Sequence, residues 1–164
     1  MRNRFGPLKN NCVIASAFSI LAICSFEQVP AQSIETAVIH RFISQQAKRE
    51  NGEEYKQARK LLKGDINGDK KKDIVVLYTL EGFNGSNNYR QYLAVFLGTG
   101  KGFRYAAKEV VGEHAGRGVE LKSIIGGRIN LDTMEPRKTD PACCPSKPGK
   151  ARYLFAAGKL RELK

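Results

Sequence analysis

Two stretches, DIVVLYTL at residues 73–80 and YLAVFLG at 92–98, are nearly unbroken runs of branched and aromatic residues. Runs this short read as strands, and strands without a polar face are central strands covered on both sides. The rest of the chain is read around that requirement. FRYAAKEVV begins in alternation, with Phe103, Tyr105 and Ala107 on one side, as a half-exposed strand does. The Gly-rich turn GTGKG joins it to the preceding run as a hairpin. VELKSI and RINLDTM flank Gly126 and Gly127, and ARYLF and KLREL flank Ala157 and Gly158, which are two further hairpin signals.

Upstream, Ser33 is followed by Ile34, Ala37, Val38, Phe42 and Ile43, a spacing that lines one face of a helix ending near Asn51 and Gly52. Ser33 suits its N-cap and Glu35 its positive end. EEYKQARKLLKG fits a second helix or an incoming strand equally well. The expected class is α+β, an N-terminal helix packed on an antiparallel β-meander of about six or seven strands. Residues 32–164 make one domain, with no linker that suggests two.

Arg2, Arg4 and Lys9 precede a short apolar stretch, CVIASAFSILAICSF, and then Val29 and Ala31 in a small-x-small arrangement. That order is a secretory signal peptide over residues 1–31, cleaved after Ala31, which places the mature chain in the periplasm or outside the cell. A second reading makes Cys24 of LAIC a lipid attachment point, although Ile23 stands where a small residue is preferred. No later segment approaches membrane length, so no transmembrane segment is expected after cleavage. Removing the leader takes Lys plus Arg from 28 to 25 and Asp plus Glu from 16 to 15, so the formal charge moves from +12 to +10. Such a balance favours an anionic envelope polymer or a protein partner and also serves plain solubility, and nothing points to specific nucleic-acid recognition.

GDINGDKKKDIVVLY holds Asp65, Asn67, Asp69 and Asp73 around a tight turn that leads into the first apolar run. Oxygen ligands so spaced converge on a hard cation when the backbone curls. The stretch resembles the calcium loop of the FG-GAP and VCBS repeat families, with a kinship to dockerin and EF-hand loops. The resemblance implies calcium in a structural role, held by Asp65, Asn67, Asp69, Asp73 and the carbonyl of Lys71. It covers about nine residues, and Lys70 stands at the family's glycine, a position that favours positive φ. Lys70, Lys71 and Lys72 would each repel a divalent ion by roughly 1 kcal/mol at about 8 Å in water, which weakens such a site without abolishing it. The other reading is an Asp-Asn-Gly turn whose carboxylates cap backbone amides.

After cleavage Cys143 and Cys144 are the only thiols. Adjacent α-carbons sit about 3.8 Å apart while ordinary disulfides want about 4.4 Å or more, and a bond between neighbours closes almost no loop. The pair is therefore no staple. It is a vicinal disulfide with or without a redox role, a soft metal site, a bridge to a second chain, or two small apolar groups in a loop stiffened by Pro141, Pro145 and Pro148. The layout also resembles small exported bacterial proteins that pair an acidic turn and VVLYTLEG with a late CCPS, a resemblance that implies no activity.

His40 reads as a surface residue of the first helix. His114 and Arg117 lie in GEHAGRG, a hairpin connection able to grip an anion. EGFNGSNNYRQY offers Phe83, Tyr89, Arg90 and Tyr92 among amides as a ligand-binding loop. No nucleophile elbow, phosphate loop or paired metal histidines occur. The leading expectation is an exported non-enzymatic binding or structural module; the alternatives are a redox-responsive protein using Cys143 and Cys144, and a hydrolase using Glu113, Glu120 or Asp132.

Overall fold

The computed structural model describes residues 31–164; the apolar leader and Cys24 lie outside the described residues. Helix α1 (Ala31–Glu50) is followed by strands β1 (Glu53–Glu54), β2 (Lys60–Gly64), β3 (Asp73–Glu81), β4 (Tyr89–Thr99) and β5 (Gly102–Glu113). Then come β6 (Gly118–Ile125), β7 (Arg128–Glu135), β8 (Lys147–Ala156) and β9 (Lys159–Leu163). All pairings are antiparallel. The α+β class holds, but the described strands number nine and divide into two sheets, where one meander of six or seven was expected.

In the first sheet β3 and β4 are central, β5 forms one edge, and β1 and β2 share the other edge by pairing with successive parts of β3. EEYKQARKLLKG is therefore an interrupted edge strand, broken by a short 3₁₀ turn at Lys56–Ala58. Asp73 through Leu80 are all buried, as are Tyr92 to Phe96. Ile74, Val76, Tyr78 and Leu80 face the helix together with Tyr92, Ala94 and Phe96, against Ile39, Ile43 and Ala47. Val75, Leu77, Leu93 and Val95 face the other way, onto Leu121, Ile129, Leu131, Ala151, Tyr153 and Leu160 of the second sheet. The two apolar runs thus sit in the middle of a helix, sheet, sheet stack.

Three local expectations are corrected. The helix already runs at Ala31, so Ser33 lies inside it and not at its N-cap. Ala37 is exposed, because the buried stripe passes through Glu35, Ile39, Ile43, Gln46 and Ala47. Glu35 is buried with its carboxylate 2.5 Å from the Lys63 ammonium of β2. In β5, Tyr105 stacks on Phe42 at the helix face, but Ala107 lies in the core between the sheets. The cause is a bulge: Val95 pairs with Ala107 and Phe96 with Tyr105, which leaves Ala106 without a partner and reverses the facing beyond it.

Between β5 and β6 the chain passes from one sheet to the other through GEHAGRG. A Cβ on Gly112 would come within 2.6 Å of Gln91 Oε1 and 2.7 Å of the Arg117 carbonyl, so only glycine lets the crossing close. Gln91 seals it by treating Val119 as a strand partner, accepting from its N–H at 2.8 Å and donating to its carbonyl at 3.1 Å.

Gly98 sits where the loop before β3 crosses β4, and a Cβ there would overlap the backbone carbonyl of Lys72. Gly98→Ala should lower the unfolding free energy by about 1–3 kcal/mol in urea titration, because backbone meets backbone and neither yields cheaply. Gly100→Ala, with nothing within 4 Å of its Cβ, should leave the midpoint unchanged.

Candidate functional site

The loop from β2 to β3 is a set of nested side-chain caps. Asp65 accepts from the backbone N–H of Gly68 at 2.7 Å and of Lys70 at 2.9 Å. Asn67 Oδ1 accepts from Asp69 N–H at 3.1 Å, and its amide donates to Asp69 Oδ2 at 3.2 Å. Asp69 Oδ1 accepts from Lys71 N–H at 2.8 Å, with the Lys71 ammonium 3.5 Å from Oδ2. The Lys71 amide first, then the Asn67 amide and the Lys71 charge, hold the Asp69 carboxyl below its ordinary range. Lys70 has φ 65°, the left-handed conformation expected where the calcium-loop families carry glycine. Asp73 is fully buried, accepting from Ile66 N–H at 2.9 Å and Gly98 N–H at 2.8 Å, so it pins the loop across β4. Among the described residues no three His, Cys, Asp or Glu side chains converge as a metal-holding group.

The ligand-loop residues divide. Phe83, Tyr89, Arg90 and His114 line one cleft of about 460 Å³ together with Glu113. Tyr92 does not line it; it is buried in the core, stacked on Tyr78 at 5.2 Å, with its hydroxyl donating to Glu50. Arg117 is elsewhere and fully engaged. Its guanidinium donates to the Val111 carbonyl at 2.7 Å, to both Glu162 oxygens at 2.8 and 2.7 Å, and to Tyr153 Oη at 2.7 Å. It ties β5 to β8 and β9, and the anion grip expected of it is already taken by this chain's own carboxylate. That pairing raises the Arg117 pKa and lowers that of Glu162.

Glu120 and Asp132 are cross-strand partners on the outer face of the second sheet, with the Lys122 ammonium 3.2 Å from one and 3.3 Å from the other. Lys122 holds the Glu120 carboxyl low, and a carboxylate kept ionised is a poor general acid. Glu113, on β5, lines the separate cleft, so the three hydrolase candidates do not assemble into one site.

On the same outer face stand residues that motif reading passed over. Because Ile129, Leu131, Ala151, Tyr153 and Leu160 point into the core, strand alternation sends Arg128, Lys150, Arg152 and Arg161 outward, all exposed. None of the four forms an ion pair among the described residues. The alternation in RINLDTM, KARYLF and KLREL carried that signal.

Cys143 and Cys144 are joined as a vicinal disulfide in an exposed loop. What holds the loop is Asp140, which accepts from Arg137 N–H at 2.8 Å, Ser146 N–H at 2.9 Å and Ser146 Oγ at 2.9 Å. The Ala142 carbonyl accepts from Ala115 N–H at 3.1 Å, which sets the disulfide loop beside His114. Compared with known proteins, the chain matches no family model, no curated protein and no solved structure. The likeness to calcium loops therefore rests on its own few residues.

Replacing both cysteines by serine should move Tm by no more than about 2 °C, because the bond closes almost no chain. Asp140→Ala should cost more in the same melting experiment. A large loss from the double serine variant would make the disulfide a staple after all. Burial raises the phenol pKa of Tyr78, of Tyr153 and of Tyr92, the last to about 12. Unfolded tyrosine releases its proton near pH 10, so the stability these groups contribute is complete below about pH 10 and is lost as pH rises toward their folded values. Urea midpoints should fall steeply from pH 10 upward, and less steeply in Tyr92→Phe.

Proposed function

We propose that this chain is an exported, non-enzymatic binding module whose second sheet presents its outer face to an extended polyanion. Export rests on the leader sequence. The observation that carries the binding reading is the set Arg128, Lys150, Arg152 and Arg161, exposed on one sheet face and free of ion pairs among the described residues, with only Lys150 facing a carboxylate, its cross-strand neighbour Asp132. Arg128 and Arg161 flank Leu154 in one cross-strand row, and Arg152 lies beside Asn130 in the next. Neighbouring strands lie about 4.8 Å apart and same-face residues about 6.6 Å apart, so the cations form a compact grid. The two carboxylates of the face, Glu120 and Asp132, are already bound by Lys122, and Lys60 adds to Glu120 at 3.5 Å. An anionic chain laid across this face meets positive charge without displacing an internal partner.

Inorganic polyphosphate is a suitable probe. Its affinity should fall steeply as salt rises, and Arg152→Glu with Arg161→Glu should weaken it at least about tenfold, since each cation near an anionic surface contributes about 1 kcal/mol. Binding indifferent to salt, or unmoved by the double variant, contradicts the reading.

Calcium at the β2 to β3 loop belongs to the same proposal as a stabilising element. Each Asp65 and Asp69 oxygen that accepts one backbone N–H keeps a second lone pair, so coordination does not require those bonds to break. The ligands would be Asp65, Asn67, Asp69, the Lys71 carbonyl and Asp73. Calcium should then raise Tm relative to chelator, and Asp69→Ala should remove the difference. Identical melting curves in calcium and chelator would leave the loop a hydrogen-bonded turn alone.

A further inference from the structure

The first sheet outruns its helix. Chain leaves α1 at Glu50, while β3, β4 and β5 continue to the pairs Glu81 with Tyr89 and Arg90 with Glu113. The ends of β4 and β5, which the helix reaches only through Glu50, form the floor of the cleft, and the β3 to β4 connection forms its rim. That connection is built tightly, with Gly82 N–H bonded to the Asn88 carbonyl and Asn84 N–H bonded to the Asn51 carbonyl just past the helix. Gly82, Asn84 and Gly85 all have positive φ, at 74°, 52° and 78°. A non-glycine residue held left-handed in a loop clamped at both ends marks a rim of fixed shape.

We infer that this cleft is a binding site for a neutral saccharide. Arg90 lies 5.0 Å over the Phe83 ring with its guanidinium 3.5 Å from Glu50, a carboxylate it shares with Lys108 at 3.6 Å. Glu113 lines the cleft as the cross-strand partner of Arg90 and adds its charge to the field that Arg90 feels. Arg90 and Lys108 balance Glu50 and Glu113, so the cleft carries no net charge, and the Glu113 carboxylate accepts hydroxyl donors. Asn84, Ser86 and Asn88 add neutral groups that both donate and accept. Tyr89 and His114 meet edge to face at 6.1 Å and supply aromatic surface for the C–H face of a sugar ring. A volume of about 460 Å³ lies within the usual range of small-ligand sites.

The site is separate from the basic sheet face, and of the two only the face should respond strongly to salt. The test is an amide NMR titration of the full-length chain with cellobiose and with N,N′-diacetylchitobiose, at low and high salt. At least one saccharide should shift the amides of Tyr89, Glu113 and His114 with Kd of about 1–10 mM, and raised salt should change that Kd less than about twofold. Glu113→Gln should weaken binding about tenfold, and Arg152→Glu should leave it unchanged. No shift at these amides with either saccharide overturns the assignment. So does tighter binding of tetramethylammonium than of either saccharide at the same amides, which would make the cleft a cation site built on Glu113 and the rings.

Discussion

Strands β3 and β4 have no face to spare. From Ile74 to Leu80 and from Tyr92 to Phe96 every side chain is buried, alternate residues going to opposite sides. One layer cannot cover them, so the helix takes Ile74, Val76, Tyr78, Tyr92 and Phe96 and the second sheet takes Val75, Leu77, Leu93 and Val95. Burying a side chain of this size contributes roughly 1.5–3 kcal/mol, so this pair dominates the apolar stabilisation of the fold. Asp73 extends the constraint into the acidic loop by fastening Ile66 and Gly98 to the start of β3. The cleft depends on the same sheet, because its floor is the end of β4 and β5, where the helix reaches only with Glu50.

Much of this was legible. Two apolar runs implied cover on both sides, and the three glycine-bearing hairpins at 100–101, 126–127 and 157–158 lie where their turn chemistry put them. Lys70 in the glycine position does take a positive φ. What the sequence hid was geometry that depends on partners. Nothing in FRYAAKEVV announces that Ala106 will bulge, since the bulge is set by register against Val95 and Phe96. A meander likewise does not say where it turns over into a second sheet. That point is decided at Gly112, Gln91 and Arg117, whose contacts exist only once both sheets are in place.

The same limit explains the candidate site residues. Arg117 looked like an anion grip in a flexible connection, yet Glu162, 45 residues later, fills its fork and makes it a strut between sheets. Tyr92 looked like part of a ligand loop and is instead a core residue under Glu50. Conversely, Arg128, Arg152 and Arg161 attract no attention as motifs, and only strand alternation collects them on one face. Residues whose role comes from local spacing could be read directly. Those whose role comes from a distant partner could not.

If the β3–β4 pair is the element on which the others depend, it should be the last to open. Amide hydrogen exchange under native conditions, followed residue by residue, is the direct measurement. The amides of Val75–Tyr78 and Leu93–Phe96 should exchange only through global unfolding, while those of β8 and β9 exchange through smaller, less costly openings. Protection in β8 and β9 equal to or greater than that in β3 and β4 would contradict the account.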